Sequence, residues 1–189
     1  MRYKYKGYDI DIELIKYVID DEDVSIDGYD KTIQLEETDF CKLFEIRVES
    51  HGDVSRVLLI ASYHTPEDHF VAMHEEGMFF MLNDILCIFD PVDLKISRMK
   101  TISPMGTMCE VHPYGKDYIL YGELEIYRIS ENMEAIWKFL GVDVFFRCDS
   151  DDPAFEMKSD RICLYDFLEN YYEIDYDGNL ITEIRSNDQ

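Results

Sequence analysis

The densest grouping of side chains able to hold a metal or move a proton lies between His64 and Glu76, where His64, Glu67, Asp68, His69, His74, Glu75 and Glu76 share one short stretch. Imidazoles and carboxylates at that density suit zinc or a similar cation, or a carboxylate-assisted hydrolysis. The spacing argues otherwise. His69 and His74 fall on opposite faces of a continuous strand, and no H-E-x-x-H is present. A polar turn at Thr65-Pro66-Glu67-Asp68 with ordinary flanking histidines is expected there. Asp23-Val24-Ser25-Ile26-Asp27-Gly28-Tyr29-Asp30 begins like a calcium loop, but Asp30 stands where an apolar residue packs and Gln34 where a bidentate Glu is needed. The similar start at Glu173, Asp175 and Asp177 ends on Ile184, so it reads as a hairpin. No metal and no cofactor are expected.

The glycines form no G-x-G-x-x-G, no G-x-x-x-x-G-K and no G-x-S-x-G, which removes dinucleotide, P-loop and nucleophile-elbow chemistry as motif-based readings. With 41 Asp and Glu, accidental carboxylate pairs abound and no catalytic pair stands out. The five cysteines, Cys41, Cys87, Cys109, Cys148 and Cys163, are widely spaced without a C-x-x-C and read as reduced core thiols. The C-terminal stretch is richer in meaning. Tyr165, Tyr171, Tyr172 and Tyr176 alternate with Asp166, Glu169, Glu173, Asp175 and Asp177, and aromatic anchors among charges of one sign suit an interface for a basic protein. Alternation sends Tyr172, Ile174 and Tyr176 to the core, leaving Tyr165, Asp166, Tyr171, Glu173 and Asp175 as the expected partner-binding residues. The run Asp20-Asp21-Glu22-Asp23 reads as a solvated turn.

The elements that must position these residues are strands. Tyr8, Ile10, Ile12 and Leu14 alternate with acids, as do Phe44, Ile46 and Val48, which marks strands with one wet face. Residues 57–61, 78–82 and 85–89 are apolar on both sides and short, as in central strands. Leu14, Ile15, Val18 and Ile19 have helical spacing, yet Tyr17 and Ile19 continue the alternation, so a bulged strand is the competing reading. Segments opening at Ile46, Ile85, Leu124 and Ile162 recur at roughly 39 residues, each with a polar turn and a returning strand, and a repeat of about 40 residues is that of a propeller blade. The fold class expected is all-β, in antiparallel meanders with propeller-like repeats; an antiparallel sandwich or barrel is the alternative. Asp177-Gly178 marks the clearest hairpin. No Pro/Gly/Ser-rich linker interrupts the chain, so one domain over residues 1–189 is expected, with a loose tail at 185–189.

Of 189 residues, 47% are hydrophobic and 14% aromatic, enough for a core, while 18 Lys and Arg against 41 acids leave a formal charge of −23. That charge excludes nucleic acid and anionic membranes as partners, since both need cations to neutralise phosphates. Neither a signal-like apolar run nor a stretch of ~18 apolar residues occurs, so a cytoplasmic protein is expected. Tyr121-Gly122-Glu123-Leu124-Glu125-Ile126-Tyr127-Arg128-Ile129, with Ala135-Ile136-Trp137 and Ile162-Cys163-Leu164-Tyr165-Asp166 through Leu180, resembles a group of small acidic bacterial β proteins that are uncharacterised. The resemblance covers roughly the last 70 residues. It implies a bacterial cytosolic β protein and brings no catalytic residues. In size and acidity alone the chain is similar to immunity proteins that neutralise basic toxins. The function expected is therefore a non-enzymatic, acidic protein-binding module with a basic partner, with a carboxylate hydrolase or a metal site near His64–Glu76 as the alternative. Self-repulsion at −23 predicts that thermal stability at neutral pH rises as salt is added up to ~0.15 M, where the Debye length is ~8 Å. A melting series in sodium chloride that fell instead would show that repulsion does not govern stability.

Overall fold

The computed structural model describes residues 1–19, 25–35, 40–147 and 152–186. The acidic run Asp20–Asp23 with the opening of the calcium-like loop, Cys148, and residues 187–189 of the tail lie outside them. The described residues are strands, turns and loops without an α-helix, and none contains a helix long and apolar enough to cross a membrane. Two compact units divide the chain, residues 1–102 and 103–189.

The first unit opens with β1 (Arg2–Tyr5), β2 (Tyr8–Ile19), β3 (Lys31–Gln34), β4 (Phe40–Ser50) and β5 (Asp53–Ser62), which form one sheet in the order β1-β2-β4-β5-β3. The segment with helical spacing is the bulged strand: the β2–β4 register shifts between Leu14 and Lys16, leaving Ile15 as the extra residue. The bulge explains the ambiguous spacing, because one inserted residue breaks a period of two. One pairing departs from the antiparallel expectation. β3 runs parallel to β5, fastened where the Arg56 amide donates to Asp30 Oδ2 (2.8 Å) and the Asp30 amide to the Arg56 carbonyl (2.9 Å). Asp30, which stands where the calcium-like reading needs an apolar residue, thus serves the strand pairing. β6 (Val71–His74), β7 (Gly77–Leu82), β8 (Ile85–Asp90) and β9 (Lys95–Thr101) follow as an antiparallel meander. β7 and the apolar part of β8 are buried on both faces, as their unbroken apolar runs require. Ile12, Phe44, Ile46 and Leu59 of the first sheet pack with Met78, Phe80, Cys87 and Phe89 of the second in one core.

The second unit holds two more meanders, β10 (Met108–Tyr114), β11 (Asp117–Gly122), β12 (Glu125–Ile129) and β13 (Ala135–Leu140), then β14 (Phe155–Met157), β15 (Ile162–Tyr165), β16 (Tyr171–Ile174) and β17 (Leu180–Ile184). Their core joins Ile119 and Ile126 to Phe145, Ile162, Leu164, Tyr172 and Ile174. The last hairpin is tied to β12 and β13 through the Tyr176 carbonyl, which accepts from Arg128 Nη1 (2.7 Å) and Trp137 Nε1 (2.9 Å). Four-stranded meanders in simple chain order, three in succession, are the construction of propeller blades, and none of the sheets closes into a barrel.

One turn recurs in the second unit. At Ser130, Asp166 and Asp175 the residue donates its amide to the carbonyl four places on (2.9, 3.1 and 2.9 Å), and its own carbonyl accepts the amide three places on (2.8, 2.9 and 3.0 Å). Its side-chain oxygen takes the amide four places on, at 3.1, 3.0 and 2.8 Å. The fourth residue is left-handed in each: Met133, Glu169 and Gly178. The tight turn expected at Asp177-Gly178 is this longer loop, with positive φ at Gly178 and not at Asp177. The repeat anchors at Ile85 and Leu124 open the third strands of their sheets, whereas Ile162 opens the second strand of its own, one strand out of phase.

Gly77 has φ +154°, and a Cβ there would run into the Phe89 carbonyl. Gly77→Ala is therefore expected to destabilise the chain by about 2 to 4 kcal/mol in urea unfolding. An unchanged midpoint would contradict that packing.

Candidate partner-binding face

In the last sheet, alternation divides the side chains cleanly. Ile162, Leu164, Tyr172 and Ile174 enter the core, and Tyr176 follows them, so Cys163, Tyr165, Tyr171 and Glu173 stand on the opposite face. Antiparallel pairing places Tyr165 directly across from Tyr171 and Cys163 across from Glu173. The two tyrosine rings lie 4.8 Å apart and tilted by 40°. The Tyr171 hydroxyl donates to Glu173 Oε1 at 2.7 Å and stands 3.3 Å from Cys163 Sγ. Arg161 Nη1 donates to Glu173 Oε2 at 2.8 Å. Above Tyr165, the Arg147 guanidinium sits 4.1 Å from the ring centroid and pairs with Glu169 (2.8 Å). Asp152, Pro153, Glu156, Lys158, Cys163, Tyr165 and Tyr171 line a cleft of about 270 Å³ on this face.

The electrostatics follow from these contacts. Burial, then the bonds with Cys163 and Glu173, push the Tyr171 phenol above its ordinary value, so it stays protonated. The Tyr171 hydroxyl and the Arg161 guanidinium outweigh the cost of desolvation and hold Glu173 below the usual carboxylate range. Lys158 is held above its ordinary value by Cys163 and Glu156. The face thus carries an ionised Glu173 beside a protonated Tyr171, and two of its cations, Arg147 and Arg161, are already engaged.

The five expected partner-binding residues separate here. Tyr165, Tyr171 and Glu173 share the outward face and are half-buried. Asp166 is wholly buried and belongs to the turn: it accepts the Leu168 and Asn170 amides (both 3.0 Å), Asn170 Nδ2 (2.9 Å) and the Tyr172 hydroxyl (2.7 Å). A partner cannot reach it. Asp175 likewise accepts from the Asp177 and Asn179 amides and from Asn179 Nδ2, bonds that lower its pKa. Arg147 and Lys158 were not foreseen, since no spacing in the sequence links them to Tyr165 or Cys163. Of the expected tail, Ser186 donates its amide to Asn170 Oδ1 (3.0 Å) and Arg185 pairs with Glu183.

At the other candidate stretch, His74 Nδ1 accepts the Glu76 amide (3.0 Å) and His69 has a left-handed backbone. Among the described residues no three His, Cys, Asp or Glu side chains converge as a metal site. Cys41, Cys87 and Cys163 are buried and Cys109 half-buried, all as thiols. Burial pushes Cys87 up to about 12 and, with Glu123 and Glu110, Cys109 up to about 11.

No family model matches the chain, and no curated protein matches it. Among solved structures it is similar to the AfRom2 CNH domain, with TM-score 0.46 and 9% identity over 77% of this chain and 50% of that one. It is similar also to BamB from Moraxella catarrhalis (TM-score 0.45, 8% identity, 89% of this chain and 53% of that one). A protein of unknown function from Bacteroides caccae gives TM-score 0.43 and 11% identity, over 97% of this chain and 69% of that one. The chain spans about half the length of the first two.

Asp166→Ala strands four donors around a buried carboxylate site and is expected to cost roughly 2 to 4 kcal/mol, whereas Tyr165→Ala on the outward face should cost roughly 1 kcal/mol. Paired denaturation curves check this, and equal losses would refute the division of roles.

Proposed function

We propose that this chain is a non-enzymatic protein-binding module that works in the cytoplasm on a basic protein, most concretely as an immunity-type inhibitor covering the cationic surface of a toxin. The observation that carries the reading is the outward face of the last sheet, where Tyr165 and Tyr171 are presented as a pair beside Glu173 and Glu156. Rigid aromatic area supplies contact energy that charge does not, and a formal charge of −23 speeds encounter with a cationic partner.

The test is capture of a basic protein from the source cell, followed by kinetics on the purified pair. The association rate should fall steeply with salt, and Tyr165→Ala or Tyr171→Ala should speed dissociation by roughly tenfold or more while the chain stays folded. Partners that are acidic or indifferent to salt would discard the proposal, as would a turnover activity abolished by one carboxylate substitution.

A further inference from the structure

On the outward face of the last sheet, carboxylates are held by arginines in a repeated way. Arg147 lies 4.1 Å from the Tyr165 ring centroid and pairs with Glu169 at 2.8 Å, and Arg161 pairs with Glu173 at 2.8 Å. Glu156 is the exception. It stands opposite Cys163 in the pairing of β14 with β15, so its side chain joins Cys163 on the outward face. Among the described residues its carboxylate has one partner, the Lys158 ammonium at 3.6 Å, which is longer than a hydrogen bond. Lys158 is also the loosest cation of the three: its side chain is 45% exposed, against 14% for Arg147 and 32% for Arg161.

The cleft of about 270 Å³ on this face is lined by both Glu156 and Lys158, with Tyr165 and Tyr171 as its aromatic wall. Sites for cofactors and drug-sized molecules run to roughly 300–1,000 Å³, so this one suits a single long side chain. With Glu156 and Asp152 against the Lys158 ammonium, the lining is negative on balance. Lysine and arginine answer such a cleft differently. An ammonium is a point charge, whereas a planar guanidinium gives one carboxylate two parallel bonds while its flat side lies on an aromatic ring.

We infer that this cleft seats one arginine side chain of the basic partner, its guanidinium bound to Glu156 and flanked by Tyr165 and Tyr171, and that Lys158 holds the place until it arrives. The incoming guanidinium exchanges a 3.6 Å ion pair for two hydrogen bonds on Glu156, and Lys158, already half exposed, turns to solvent. This inference rests on the reading of the chain as a binder of basic proteins and names the side chain that the face selects.

The experiment titrates the full chain, labelled with nitrogen-15, with acetyl-Gly-Ser-Arg-Ser-Gly-amide and with the same peptide carrying lysine or citrulline, the uncharged isostere of arginine, at its centre. Amide shifts should concentrate in residues 154–158, 163–165 and 171–173. The lysine and citrulline peptides should bind at least roughly fivefold more weakly, Glu156→Gln should weaken the arginine peptide roughly tenfold, and Lys158→Met should tighten it roughly threefold or more. If Glu156→Gln alters the melting curve, the three peptides on the unaltered chain decide. Shifts scattered over the acidic surface, arginine and lysine peptides that bind alike, or an affinity that Lys158→Met lowers or leaves unchanged would overturn the inference. Free L-arginine binding better than the peptide would overturn it too, by making the cleft a small-molecule site. If the natural basic partner is weakened by Tyr171→Ala but not by Glu156→Gln, the arginine seat fails and the function stands; if salt does not affect that partner, the function itself fails.

Discussion

Register is the constraint on which this fold depends, and in the second unit a single turn built three times sets it. A strand-terminal Ser or Asp spends its amide, its carbonyl and its side chain on the same five-residue loop, so the chain re-enters the sheet at one position only. A slip of one residue would send Tyr172 and Ile174 to water and Glu173 into the core. The turn at Asp166 thereby decides that Tyr165 and Tyr171 meet across the outward face. Glu169 and Met133 accept left-handed backbone conformations to complete these loops, a modest strain that the packed strands on either side offset.

Much of this was legible along the chain because alternation is a local property. The wet-faced strands around Ile10 and Ile46, the doubly buried strands around Phe80 and Cys87, and the last hairpin need only a window of a few residues. Even the bulge at Ile15 left its trace as a broken period. The phase of the last repeat was not legible, because Asp166 and Asp175 build the same turn and an alignment on turn chemistry can choose either. The parallel pairing of β3 with β5 was hidden for another reason: it rests on Asp30 and Arg56, far apart in sequence. Asp166 shows the limit most sharply. An acid beside tyrosines reads as surface, yet its oxygens are consumed by amides that only the folded turn brings to it.

The cations of this acidic chain are used close to home. Arg56 bridges to Glu45, Arg128 to Asp117 and to the Tyr176 carbonyl, Arg161 to Asp160 and Glu173, and Lys138 to the fully buried Glu125. The more exposed of these pairs, such as Arg161 with Asp160, add little stability each. Their larger effect is on the field around the molecule, since a positive charge locked against a neighbouring acid cannot offset the remaining carboxylates elsewhere. The carboxylates that these cations do not neutralise keep the surface strongly negative, with apolar and aromatic groups set into it.

Trp137 has a further consequence, optical in kind. It is the chain's one tryptophan, its indole donates to the Tyr176 carbonyl, and it lies so close to Gly178 that a Cβ there would be 2.7 Å from its ring. Its emission colour is therefore sensitive to the seam between the last hairpin and the preceding sheet. Excited at the red edge of indole absorption, where the 14 tyrosines absorb little, this one tryptophan reports the loosening of the joint on which the outward tyrosine face is mounted.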